Sequence, residues 1–464
     1  MLDNRKLWIT IALGNLSGLV LLDETILSVA LSSIREDLHL SATSTHWIVN
    51  AYMLAFTCLA AVGGKCMNIF GLRPTLIAVG TVFAGASLAA GFAQDGATLM
   101  AMRVLQGICA AIFYPISFAG VVSIYPKEEH GKAIGTLASV ATVFLAAGPV
   151  LGGVIAEYVN WRWVFWINIP MVVVSVATAC VVWKKLPHES SLPNVDGVGL
   201  ILMLVGMLGL IFGLMEGVDY GWSNPAILVC LAIGALALAF FWRYESSHLD
   251  PLIDTNLFRR PRFLASEITI LVAQFSKISI ALYVPLYLID ELKFTPGLAG
   301  LSVLCAVGPF PFLSPITGRI ADRHGARAPI VLGAVALMAA SFAVGIAMYL
   351  ESLWTLVFAL VLWGVAIPFN FIAPSRLSTI SVPVEKQGEL SGLTITARLV
   401  GSTLGVTAGS VLLRTGLGFP SIFWLSGMLF VLIAVFCFWA LRETPHGQTE
   451  SSKKFPGLRR LLSA

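Results

Sequence analysis

Charge is scarce in this chain. Of its 464 residues only 12% are Asp, Glu, Lys or Arg, about half the share found in soluble globular domains. Apolar types make up 57% and the mean hydropathy is +0.87. This composition excludes an ordinary soluble protein and points to one that crosses a bilayer many times. The net charge of +4 is small and scattered, which excludes a nucleic-acid partner. Seven cysteines occur, none at metal-ligand spacing, and they read as small apolar packing residues. The seven histidines fall in connecting segments or the C-terminal tail, so no metal or haem site is expected within the membrane. No ATP-binding loop or nucleophile–base set stands out. The chain is therefore expected to be neither an enzyme nor a primary pump, and to need no cofactor. No small-residue cleavage site follows a short apolar stretch at the N-terminus. The first apolar run is therefore expected to stay as a span rather than leave as a signal peptide.

A helix needs about 20 apolar residues to cross a bilayer. Fourteen runs qualify: 7–31, 47–66, 74–93, 97–122, 133–157, 163–183, 197–216, 225–242, 264–289, 297–317, 328–348, 353–373, 389–413 and 420–441. An even number places both ends of the chain on one side. With that side cytoplasmic, the inside segments hold 22 of the 29 Lys and Arg residues and the outside segments hold Arg35, Arg162, Lys293 and Arg414. Positive charge accumulates on cytoplasmic loops, so both termini are expected inside. Three basic residues, Arg103, Lys277 and Arg398, lie within spans.

The chain also echoes itself. GKCMNIFGLR (64–73) follows the second run and GRIADRHGAR (318–327) follows the tenth. Both carry two glycines separated by six residues and a trailing Arg. Fourteen spans divide naturally as six, two and six, an arrangement of duplicated halves.

GRIADRHGAR resembles the cytoplasmic loop motif of the major facilitator superfamily, at Gly318, Asp322, Arg323, Gly325 and Arg327. The glycines permit a tight turn, and the Asp can cap a helix or pair with an Arg to latch two halves. The first copy keeps Gly64, Gly71 and Arg73 but has Asn68 at the Asp position. Either copy could instead be an ordinary basic loop that fixes topology. Further stretches are similar to one branch of that family, the fourteen-span drug:proton antiporters. They are LDETILSVAL (22–31), LMAMRVLQG (99–107), GPVLGG (148–153), WRWVFWINIP (161–170), VDGVGLILMLVGMLGLIFGL with GWSNP, DPLIDTNLFRRPRF (250–263) and ELSGLTITARLVGSTLG (389–405).

The resemblance implies an all-α polytopic membrane protein with the major facilitator fold: two six-helix bundles and two extra central helices. On that frame, 1–185 is the N-terminal bundle, 186–250 the two additional helices, 251–443 the C-terminal bundle and 444–464 a cytoplasmic tail. It implies a proton-coupled exporter of amphipathic small molecules such as drugs or toxins, in a bacterial inner membrane. The alternative is a transporter dedicated to one metabolite, for example a siderophore or organic anion. The expected partners are a small-molecule substrate, protons and the lipid bilayer, with the monomer as the expected state.

Ionisable groups inside spans are costly and usually functional. Asp23 and Glu24 sit in the first span; neighbours on a helix point about 100° apart. The resemblance places Asp23 on the cavity and makes it the candidate proton carrier, with Glu24 as a helper, a substrate contact or a group nearer the outer surface. Arg103 remains charged and is the candidate coupling partner. A purely structural Asp23–Arg103 pair is the competing reading. The ninth span carries Glu267, Gln274, Ser276, Lys277 and Ser279. Gln274 and Lys277 are three apart and share a face. Lys277 lies about 15 Å along the axis from Glu267, too far to pair with it. Gln274, Lys277, Phe369, Asn370 and Arg398 are the candidate cavity residues. Gly148, Pro149, Gly152 and Gly153 should make a kinked, closely packed seam, which the resemblance ties to antiporters and to closure of the outer side of the cavity. Phe144 is expected to hold the helices apart at the next seam position. The latch candidates are the glycines and charged residues of the two loop copies.

Overall fold

A computed structural model describes residues 2–182, 196–248, 251–383 and 386–441. All regular structure among them is helical, and fourteen helical spans are long and apolar enough to cross a membrane. In hydrocarbon every backbone N–H and C=O must find a partner within the protein, which a helix supplies from its own segment. The expected division points at 185/186, 250/251 and 443/444, and the tail 444–464, involve residues outside those described.

Span 1 is Leu2–Asp37, span 2 Ala42–Gly63, span 3 Leu72–Gly91, span 4 Gly96–Ile124 and span 5 His130–Tyr158. Span 6 joins Trp163–Trp166 to Asn168–Val182. Spans 7 and 8 are Gly197–Tyr220 and Pro225–Glu245. Span 9 is Pro261–Asp290, span 10 joins Pro296–Val307 to Phe310–His324, and span 11 is Arg327–Tyr349. Span 12 is broken: Leu353–Ala366 passes through a tighter 3₁₀ turn, Ile367–Asn370, into Ile372–Ile380. Spans 13 and 14 are Gln387–Arg414 and Gly418–Ala440. The breaks in spans 10 and 12 coincide with Pro309 and Pro368, whose missing N–H interrupts the helical ladder. Helix starts are fixed by side-chain caps at Ser41, Asp95, Asp196 and Asn224, which satisfy otherwise orphaned amides.

Helix pairings in the first six spans recur in the last six. Span 1 packs on spans 5 and 6 as span 9 packs on 13 and 14; 2 packs on 4 as 10 on 12; 3 packs on 6 as 11 on 14. Spans 7 and 8 pack on each other, and span 7 leans on spans 2 and 13. The two sets of six meet chiefly where span 5 crosses span 10 and where span 13 crosses spans 2 and 4. The sequence echo has a backbone counterpart. Gly71 and Gly325 adopt nearly the same conformation, φ 79° and ψ 156° against φ 78° and ψ 170°, which a residue with a Cβ rarely takes.

Candidate functional site

A cavity lies between the two sets of six helices at mid-depth. Its wall is largely aromatic and aliphatic, with Phe56, Tyr114, Phe118, Trp363 and Phe371 among the lining residues. Three of its polar groups are Gln274 and Lys277 of span 9 and Arg398 of span 13. No acidic residue lines it among the described residues. Gln274 donates from Nε2 to Ser402 Oγ at 2.9 Å. Arg398 lies between two rings, its guanidinium 5.0 Å from the Phe118 centroid and 5.1 Å from that of Phe371. Those rings stabilise a partly desolvated cation.

Two of the expected cavity residues are not on this wall. Trp363, Ile367 and Phe371 are four apart and share the cavity face of span 12. Phe369 and Asn370 point instead to span 11: a Cβ on Gly333 would lie 2.4 Å from Asn370 Nδ2 and 2.6 Å from Phe369 Cβ. The 3₁₀ turn advances about 120° per residue, so neighbouring positions there cannot all face the cavity.

Asp23 is also off the cavity wall, which Leu21 lines in its place. It is fully buried within the first six spans and bonded to Arg103 Nη1 at 2.5 Å. Asn168 of span 6 donates to its other oxygen at 3.2 Å. Arg103 donates to the Ile48 carbonyl and to Gln106, and lies 4.3 Å from the centroid of the Tyr52 ring. A buried pair survives only when its remaining donors and acceptors are satisfied, and four spans contribute to doing so here. Asn168 was not legible as part of this site: it is one amide in an aromatic run, and only the fold brings it to span 1. The side chain of Glu24 lies outside the described residues.

The seam on span 5 packs against span 1. A Cβ on Gly148 would fall 1.9 Å from Thr25 Oγ1, and one on Gly152 would fall 2.5 Å from the Ile26 carbonyl oxygen. These contacts lie within the first set of six helices, not between the two sets. The surroundings of Pro149 and Gly153 are outside the described residues. Phe144 does not hold the helices apart. It seats on Gly18, where a Cβ would meet its ring at 2.4 Å, so the small residue sits on span 1 rather than span 5.

The two sets of six close on each other at the face of the bundle where the chain begins, here called the terminal face. A Cβ on Gly318 would lie 2.0 Å from the Gly131 carbonyl oxygen, and one on Gly131 would lie 2.4 Å from that of Gly318. The backbones of spans 5 and 10 therefore touch. Asp322 accepts from the Gly131 and Lys132 amides, each at 2.9 Å, and from Arg376 Nε at 2.5 Å. It caps the start of span 5 from the opposite half while a cation from span 12 balances its charge. Arg376 was not singled out from the sequence, where it reads as one more loop arginine.

The remaining latch candidates divide. Arg323 and Arg73 are exposed, and Arg327 bonds to the Phe438 carbonyl of span 14, so none of the three reaches Asp322. In the first copy a Cβ on Gly64 would fall 1.9 Å from the Gly388 carbonyl oxygen, a second close crossing of the halves. The side chain of Asn68 lies outside the described residues. Towards the opposite face, no pair of helices from the two halves interlocks in this way among the described residues.

Helices arranged as two like sets around a central cavity, closed at one face, define a membrane transporter of the secondary type. The sequence profile of the Major Facilitator Superfamily matches residues 13–264 and 266–463, and the chain belongs to that family. It is 29% identical to the tetracenomycin C resistance and export protein of Streptomyces glaucescens, over 86% of this chain and 74% of that one. It is 30% identical to the puromycin resistance protein of Streptomyces alboniger, over 87% and 81%. It is 28% identical to the lincomycin resistance protein LmrB of Bacillus subtilis, over 69% and 67%. In fold it is similar to the proton:xylose symporter XylE, with a TM-score of 0.65, 14% identity and 94% and 96% of the chains covered. The human organic anion transporter MFSD10 gives 0.65, 15%, 93% and 99%.

Proposed function

We propose that the protein is a proton-coupled exporter of amphipathic small molecules working by alternating access. The observation that carries this reading is the apolar, aromatic cavity held between two duplicated helix sets, in a chain whose relatives are named for drug resistance and export. The division into an N-terminal bundle, two added helices and a C-terminal bundle belongs to the same reading. So does a cytoplasmic terminal face, as its basic loops require. This conformation is then closed to the cytoplasm, with substrate leaving outwards. Asp23 exchanges the proton. Neutralising it releases Arg103, and the helices tied to that pair move relative to one another.

The cavity wall carries Lys277 and Arg398 and, among the described residues, no acid. That favours neutral or anionic amphiphiles over cations. The same observation supports the second reading, a transporter dedicated to one organic anion. Purified protein in liposomes, given a pH gradient and a panel of neutral, cationic and anionic compounds, separates the two. Movement of several unrelated neutral and anionic compounds is expected. Movement of one anion alone establishes the dedicated transporter, and no gradient-driven movement of any compound overturns both readings. Lys277→Met should weaken transport of anions about tenfold and leave neutral compounds nearly unchanged.

A further inference from the structure

Glu267 is an acid that the mechanism above does not use. It lies in span 9, one-sixteenth exposed and beneath the cavity on its terminal-face side. Its Oε1 accepts from Ser378 of span 12 at 2.7 Å and from Thr394 of span 13 at 3.1 Å. Its Oε2 has no hydrogen-bond partner. Arg398, one turn along span 13 from Thr394, has its own Nε without a partner. Arg398 reaches Ser375 of span 12 through Nη2 at 3.4 Å.

The two groups share a scaffold. Thr394 and Arg398 are four apart on span 13, and Ser375 and Ser378 three apart on span 12. Each pair therefore occupies one helix face. Arg398 stands one turn above the Thr394 that bonds Glu267, about 6 Å along the axis, so an unused donor and an unused acceptor lie one helical turn apart. In the first half another buried acid, Asp23, is closed in a direct ion pair with Arg103. Glu267 has no such ion pair among the described residues. An ionised carboxylate buried among hydroxyls with no cation in contact is poorly compensated, whereas the neutral acid keeps both hydroxyl bonds.

We propose that Glu267 is a second proton-binding site: it carries a proton in this conformation and gives it up when Arg398 moves down one turn to pair with the carboxylate. The bond broken is the carboxyl O–H. The proton passes to water on the cytoplasmic side, and the negative charge left on Glu267 is met by Arg398. The proposal rests on proton-coupled export and adds one proton to each cycle.

Two measurements on full-length protein test it, with Glu267→Gln as the variant. Infrared difference spectra of wild type minus variant near neutral pH should contain the carbonyl band of a buried protonated carboxylic acid. In liposomes, the substrate gradient that balances a given pH gradient yields protons per substrate, and the variant should use one fewer. A missing band overturns the proposal, as does an unchanged ratio in a variant that transports. If the variant does not transport, the spectra of protein that remains monodisperse decide. Wild-type protein that moves substrate without protons would overturn coupling altogether; coupled wild type with an unchanged variant overturns the role of Glu267 alone.

Discussion

Asp322 and Arg376 meet at 2.5 Å at the terminal face, and both are nearly buried. Asp322 also accepts from the second and third amides of span 5, those of Gly131 and Lys132, so one carboxylate joins the ends of spans 5, 10 and 12. Asparagine has nearly the same shape but lacks the charge, and its amide nitrogen cannot accept. Asp322→Asn should therefore cost the closed face about 2 kcal/mol, roughly a thirty-fold shift in population. Spin labels at the exposed positions Lys132 and Arg319 report it. The distance distribution should gain a longer component in the variant; an unchanged distribution would show that the glycine crossing alone closes this face.

The crossing of spans 1 and 5 gives a test of a different kind. Phe144 occupies the space that Gly18 leaves open. Gly18→Ala should destabilise by about 1–3 kcal/mol through overpacking. Phe144→Ala should also destabilise, by leaving a void. Together they should cost less than the sum of the two, because each relieves the other's defect. Thermal unfolding in detergent of the four proteins checks this; strict additivity would mean that the two positions do not share the seam.

Asp37, at the face opposite the termini, gives a pH dependence. Hydrogen bonds from Arg162 at 2.8 Å and Trp161 at 3.0 Å hold its carboxyl below the ordinary carboxylate range. A depressed folded-state value stabilises the protein above the unfolded value, about 3.9, and the contribution disappears as pH falls through the lower folded value. The pair is partly exposed, so the effect is small and screened by salt. Asp37→Asn should unfold at slightly lower temperature than wild type at pH 7. The two should converge under strong acid. A gap that stays constant with pH would remove this ion pair from the account.

Much of this architecture can be read in the residues. Lipid forces each spanning segment to be long and apolar, so the fourteen runs stand out. The paired glycines of the two loops stand out because Gly71 and Gly325 need a backbone that other residues avoid. The pairings across the fold are not legible. Nothing near Gly18 in the chain announces Phe144, and nothing near Asp322 selects Arg376 over Arg323 or Arg327. Periodicity also fails where the helix changes type. Phe369 and Asn370 carry the residue types of a binding wall, but the 3₁₀ turn after Ala366 directs them to Gly333. Asp23 shows another limit: its depth in the membrane is visible in the sequence, whereas its enclosure by Arg103 and Asn168 depends on two other spans.

The central claim is that a proton exchanged at Asp23 drives export. It is tested most directly in liposomes containing wild type or Asp23→Asn, under an imposed pH gradient, with internal pH followed as substrate is added. The account predicts substrate-dependent proton movement in wild type and a loss of at least about a hundredfold in the variant, with substrate binding retained. Proton-coupled transport that continues unchanged in Asp23→Asn would contradict it and leave the Asp23–Arg103 pair a structural tie.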